Sequence, residues 1–138
     1  MGAHKKRILV IDDDKDHVAG IQLVLENNNY EVASAYSRDE GLLKVKEVKP
    51  DLILLDILMG KGAEGVLFAR KLRHDTEFAS AAKTPIIVMT GMREKTGFWF
   101  PGEPKHDVFF PIDEILEKPV KPAVLLEKVG QMLSAKPT

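Results

Sequence analysis

The sequence predicts an α/β fold: a doubly wound parallel sheet of five strands, with helices covering both faces. Three observations carry this expectation. Short apolar runs, Ile8-Leu-Val-Ile11, Leu52-Ile-Leu-Leu55 and Pro85-Ile-Ile-Val-Met89, have the length and the Ile/Val content of strands buried on both faces. Stretches with helical periodicity separate them, which is the alternation of an open parallel sheet rather than of a sandwich or bundle. Each run ends on a polar residue, Asp12, Asp56 or Thr90, and in such sheets the functional crevice lies at the carboxyl ends of the strands.

The elements follow in order. The first strand runs from about Lys6 to Ile11, and the first helix from about Asp16 to Asn28, with Val18, Ile21 and Leu25 on one face. Asp14 suits its cap, and Asn27-Asn-Asn29 its stop. Tyr30 to Tyr36 is β-rich. Ser37-Arg-Asp-Glu40 then has the spacing of a capping box, opening a helix that reaches about Val48. After the third strand, Glu64 to His74 is helical, with Val66, Ala69 and Leu72 toward the sheet; Ile86 to Met89 is the fourth strand. Pro122 suits a first helical position, and Leu126, Val129 and Leu133 mark a final amphipathic helix. The alternation breaks between Gly91 and Ile112, where Pro101, Pro104 and Pro111 oppose one continuous helix. A helix expected there is shortened, displaced or replaced by an ordered loop. Phe98-Trp-Phe100 and Phe109-Phe110 either pack that loop or form a partner surface.

If the first and third strands are neighbours, Asp12, Asp13 and Asp56 converge on one point. Such convergence is costly unless a cation sits among them or one carboxylate stays protonated. With Thr90 closing a strand and Lys118-Pro119 following Ile115-Leu116-Glu117, the chain resembles a response-regulator receiver domain: acid pair, Asp, Thr and Lys stand in the receiver order. The resemblance covers about residues 6 to 135 and implies a flavodoxin-like sheet in the order 2-1-3-4-5. It implies Asp56 as phosphoacceptor, Thr90 as switch hydroxyl and Lys118 as phosphoryl partner. Magnesium would be held by Asp13, Asp56 and the backbone carbonyl of Leu58, with Asp12 assisting through water.

The chemistry suits those residue types. Phosphoryl transfer to a carboxylate needs an exposed oxygen nucleophile and neutralisation of the phosphoryl oxygens. Magnesium prefers oxygen ligands, uses few carboxylates and retains waters, and a lysine ammonium is a compact counter-charge. Against the receiver pattern there are three departures. Gly60 stands where a proline is usual, in a loop one residue longer that also holds Gly62 and Gly65. Ile115 stands where an aromatic gate is frequent, and Phe109, Phe110 and Trp99 are the aromatics that the rewritten segment offers instead. The third departure is that segment itself, which lies where the family has its output face.

Composition narrows the function classes. A chain of 138 residues fits a single domain, and too little remains for a separate DNA-binding or catalytic effector. Lys and Arg number 20 against 21 acidic residues, a net charge of -1 that gives no drive toward nucleic acid or an anionic membrane. His4-Lys-Lys-Arg7 reads as a solvated lead-in. No segment approaches the ~18 apolar residues of a membrane span, and three aspartates interrupt any signal-peptide pattern. The absence of cysteine removes disulfide and thiol chemistry. His4, His17, His74 and His106 lack metal-ligand spacing, so each reads as structural or solvated.

The leading expectation is a cytoplasmic stand-alone receiver, monomeric or weakly dimeric. A histidine kinase or histidine phosphotransfer protein would phosphorylate it, and it would signal by contact with a downstream protein. It would be no enzyme beyond self-catalysed phosphoryl transfer to, and hydrolysis from, Asp56. Two other readings stand beside it. Asp12-x-Asp14 mimics the nucleophile and acid of haloacid-dehalogenase-like phosphatases, for which Asp113-Glu114 is the candidate late acidic pair. A receiver-like binding module that no longer uses phosphate is the other.

Overall fold

The computed structural model describes residues 5–57, 64–91 and 113–134. Five parallel strands form one sheet: β1 (Arg7–Ile11), β2 (Glu31–Ala35), β3 (Leu52–Asp56), β4 (Ile86–Thr90) and β5 (Glu114–Glu117), in the order β2-β1-β3-β4-β5. Helices α1 (Lys15–Glu26), α2 (Arg38–Val48) and α3 (Glu64–His74), a 3-10 segment (Thr76–Ala81) and a C-terminal helix (Pro122–Ser134) connect and cover them. This is the expected doubly wound sheet in the expected order.

The two-residue side-chain period of the strands divides the core into two layers. Leu9, Ile11, Ile53, Leu55, Ile86 and Val88 face α2, α3 and the 3-10 segment, meeting Val45, Phe68, Ala69, Leu72 and Phe78. Ile8, Val10, Leu52, Leu54, Ile87 and Met89 face α1 and the C-terminal helix, meeting Val18, Ile21, Leu25, Leu125 and Val129. Most of these side chains are wholly buried, each contributing about 1.5–3 kcal/mol of transfer free energy.

Local chemistry sets the element ends. The Asp14 carboxylate accepts from the His17 amide at 3.1 Å and caps α1. Asn29, at φ 72°, takes the left-handed turn beyond that helix, a conformation that asparagine tolerates. Ser37 Oγ accepts from the Glu40 amide at 3.1 Å, while Glu40 accepts from the amide of Tyr36 rather than that of Ser37. The C-terminal helix is amphipathic as expected, with Val129 buried and Leu126 and Leu133 packed partly buried against the core; Leu125 joins them as a fully buried residue. Arg7 is no loose lead-in: it bonds Glu31 at 2.7 Å and the Val48 carbonyl at 2.9 Å, and its amide donates to Asp51 at 2.8 Å.

Candidate functional site

Parallel pairing delivers the polar strand ends to one edge. Ile11 pairs with Leu55, so Asp12, just past β1, lies beside Asp56, the last residue of β3. The Asp12 amide donates to the Ala35 carbonyl at 3.1 Å, which continues the β1–β2 ladder and holds that corner. Thr90 ends β4 and is almost fully buried. Its carbonyl accepts from the Lys118 amide at 2.9 Å, which fixes the root of the lysine at the same edge. The structure therefore brings together five of the residues singled out by sequence: Asp12, Asp13, Asp56, Thr90 and Lys118.

One carboxylate oxygen from each of Asp12, Asp13 and Asp56 lies within 4.8 Å of the others. Asp12 and Asp56 are buried, and Asp13 is exposed. Lys118 Nζ stands 3.2 Å from Asp12 Oδ2 and 3.5 Å from Asp56 Oδ2. At such separations each like-charge pair costs about 3–4 kcal/mol at an effective dielectric near 20, less where solvent reaches Asp13. Three carboxylates this close, two of them beside the Lys118 ammonium, suit a hard divalent cation in charge and in their all-oxygen donor set.

Asp12 is held by three donors. Its Oδ1 accepts from the Asp14 amide at 2.9 Å; its Oδ2 faces His17 Nδ1 at 2.6 Å and Lys118 Nζ at 3.2 Å. Burial pushes its pKa up, but the Asp14 amide, His17 and Lys118 together outweigh burial and hold it below the ordinary 3.8. Asp12 is thus an ionised, anchored wall of the site.

Two residues were not identified as part of the site from sequence. His17 was read as structural or solvated, yet it touches Asp12. The signal was its place three residues after the cap, since side chains in a first helical turn lean back toward the strand end. Gly65, in the first turn of α3, lies so close to β3 that a Cβ there would be 2.8 Å from the Asp56 carbonyl oxygen and from Ile57 Cα. Only glycine lets α3 seat against the backbone that carries Asp56.

Other candidates resolve differently. Leu58, Gly60 and Gly62, together with Trp99, Phe109 and Phe110, lie outside the described residues. Ile115 packs partly buried against the core beside β4. The phosphatase-like pattern loses its parts: Asp14 is engaged as a cap, and Asp113 sits at the amino ends of the strands, bonded to the Ile86 amide at 2.8 Å and to Arg73 at 2.9 Å. Glu114 bonds Lys128 at 3.0 Å. Among the described residues, no helix is long and apolar enough to cross a membrane.

Comparison with known proteins agrees with this geometry. A model of the response regulator receiver domain matches residues 8–130. Protein PilH of Pseudomonas aeruginosa is 30% identical over 128 residues, spanning 93% of this chain and 98% of PilH. The alkaline phosphatase synthesis transcriptional regulatory protein PhoP of Bacillus subtilis is 34% identical over 90 residues, which is 65% of this chain and 35% of PhoP. Among solved structures, a CheY-like response regulator receiver domain protein from Methanospirillum hungatei superposes with a TM-score of 0.75 at 29% identity, covering 94% of each chain. A two-component response regulator from Clostridium difficile does so with a TM-score of 0.75 at 27% identity, covering 94% of this chain and 96% of its own.

Proposed function

The chain belongs to the response regulator receiver domain family, a family of signalling phosphoacceptors, and on that premise we propose that Asp56 is its phosphoacceptor. The observation that carries the reading is the placement of Asp56 at a strand end, inside an over-acidic cluster, with Lys118 Nζ 3.5 Å from its Oδ2. An Asp56 carboxylate oxygen attacks the phosphorus of a phosphodonor. The bond from phosphorus to the leaving group breaks, and the leaving group departs with the electron pair. The donor is a phosphohistidine of a kinase or phosphotransfer protein. Lys118 neutralises a phosphoryl oxygen, and the Thr90 hydroxyl donates to another, linking the end of β4 to the modification. Asp13 and Asp56, with the Leu58 carbonyl and with Asp12 acting through water, would hold magnesium, which would supply further charge neutralisation when bound. Hydrolysis of the acyl phosphate at the same site resets the switch, and the signal passes by contact with a downstream protein.

The test is intact mass after incubation with magnesium and acetyl phosphate. One phosphoryl group is expected on the wild type and none on Asp56→Asn. Labelling that persists in the variant, or catalytic turnover of an aryl phosphate, removes the proposal.

A further inference from the structure

Lys118 has two demands on it. In the structure its ammonium lies between Asp12 Oδ2 and Asp56 Oδ2, at 3.2 and 3.5 Å. A phosphoryl group on Asp56 needs that ammonium, and meeting the need draws it away from Asp12. Asp12 is wholly buried, so its Oδ2 cannot lose one donor without another to satisfy it. The Asp14 amide serves the other oxygen, Oδ1. On Oδ2 the remaining donor among the described residues is His17, at 2.6 Å and closer than the lysine itself.

We propose that His17 is a positioning residue: its Nδ1–H holds Asp12 Oδ2, so that Lys118 can leave Asp12 and engage the phosphoryl group. The inference rests on the reading of Asp56 as phosphoacceptor. The tautomer follows from burial, because Nε2 is buried and has no hydrogen-bond partner among the described residues. A proton placed there would be desolvated without compensation, whereas on Nδ1 it meets a carboxylate. Helix α1 fixes the ring, since the His17 amide is itself bonded to the Asp14 cap at 3.1 Å. Cap, imidazole and carboxylate thus form one rigid unit at the start of α1. Without the imidazole, Lys118 is the one side-chain donor left on Oδ2 among the described residues and is pinned there.

The experiment uses the full chain with saturating magnesium and acetyl phosphate, comparing rates of adduct formation on the wild type, His17→Leu and His17→Asn. Leucine fills the space without a donor, and asparagine places an amide N–H close to the Nδ1 position. His17→Leu should slow labelling roughly tenfold or more, the scale of one charge-assisted hydrogen bond, and His17→Asn should stay within about threefold of wild type. Because the effect runs through Lys118, His17→Leu should add no further loss in a Lys118→Ala background. Nitrogen-15 spectra of the unphosphorylated, metal-free protein should place the ring proton on Nδ1, a readout independent of labelling. Unchanged labelling in His17→Leu, equal losses in both variants, a fully additive loss with Lys118→Ala, or the tautomer average of a free imidazole would each overturn the inference. If the wild type takes no phosphoryl group on Asp56, the proposed function falls and this inference with it; labelled wild type with an unaffected His17→Leu removes the inference alone.

Discussion

The two ends of the sheet use the same ingredients, carboxylates and cations, to opposite effect. At the amino ends, the ion pairs named here join one cation to one carboxylate. Arg7 meets Glu31 with both side chains about half exposed, and Arg73 meets Asp113, which also accepts from the Ile86 amide. These contacts fasten α3, β4 and β5 together and tie β1 to its neighbours. At the carboxyl ends three carboxylates crowd together, two of them buried, and among the described residues Lys118 stands beside two of the three, Asp12 and Asp56. An end built only for stability would not crowd carboxylates in this way, since each like-charge pair opposes folding. The difference separates a fastening from a site: where charge is balanced within the chain it holds structure, and where like charges crowd together they invite a cation and its chemistry.

The sharpest way to break the comparison is Asp113→Ala. The Arg73 side chain is only 13% exposed, and its own burial already lowers its pKa, against the pull of Asp113. Removing the carboxylate strands that guanidinium and the Ile86 amide. Because Asp113 is partly solvated, a loss of about 2–3 kcal/mol in denaturant unfolding is expected, with phosphoryl stoichiometry on the folded protein unchanged. A labelling defect in folded Asp113→Ala would show that the two ends are not separable. At the other end, Gly65→Ala should cost about 1–3 kcal/mol and also slow labelling, because a Cβ 2.8 Å from the Asp56 carbonyl oxygen must displace either α3 or the backbone of Asp56. Thermal melts and labelling rates on one preparation test both halves; a neutral Gly65→Ala would mean the helix slides without moving Asp56.

Asp13 and Asp14 sharpen the comparison within three residues. Asp13 belongs to the crowded cluster, whereas Asp14 is matched to the His17 amide. Asp13→Ala should weaken magnesium binding by about tenfold or more, roughly 1.4 kcal/mol, while relieving repulsion and raising the melting temperature of the metal-free protein. Asp14→Ala should lose about 1 kcal/mol of stability as a missing cap, with a much smaller effect on the metal. Magnesium titrations followed by calorimetry, beside melts in chelator, decide it: equal metal losses would erase the distinction.

How much of this was legible in the sequence follows from where the information sits. Strand ends could be read because a buried apolar run stops abruptly at a charge, and parallel topology then carries Asp12, Asp56, Thr90 and Lys118 to one edge without further knowledge. Asp14 could be read as a cap from its place before a helical period. His17 could not, because a single histidine has no spacing partner, and its contact depends on the direction in which the first turn of α1 leans. Gly65 was hidden for a related reason: the need for glycine arises from the distance between α3 and β3, which no local pattern encodes. The apolar face of the C-terminal helix could be read from Leu126, Val129 and Leu133, while the fully buried Leu125 beside them emerges only from packing.

The smallest expected effect lies in acid. Asp12 is held below its ordinary pKa of 3.8 by the donors around it, so in the pH range between that value and its folded value the unfolded chain binds more protons than the folded one. Stability therefore rises with pH through that range; the contribution is fully present above 3.8 and is lost as pH falls through the lower, folded value. At the balanced end, Asp75 is likewise held low, mainly by its hydrogen bond from Lys71, but that pair lies at the surface where solvent screens it. Salt tells the two apart. In metal-free protein, unfolding free energy measured from about pH 5 to about pH 3 should fall more steeply for wild type than for Asp12→Asn. That excess slope should survive at about 1 M salt, where the screening length is near 3 Å and exposed pairs no longer contribute. An excess slope that vanishes with salt would place the Asp12 contacts among exposed pairs, contrary to the burial that distinguishes the carboxyl end of this sheet.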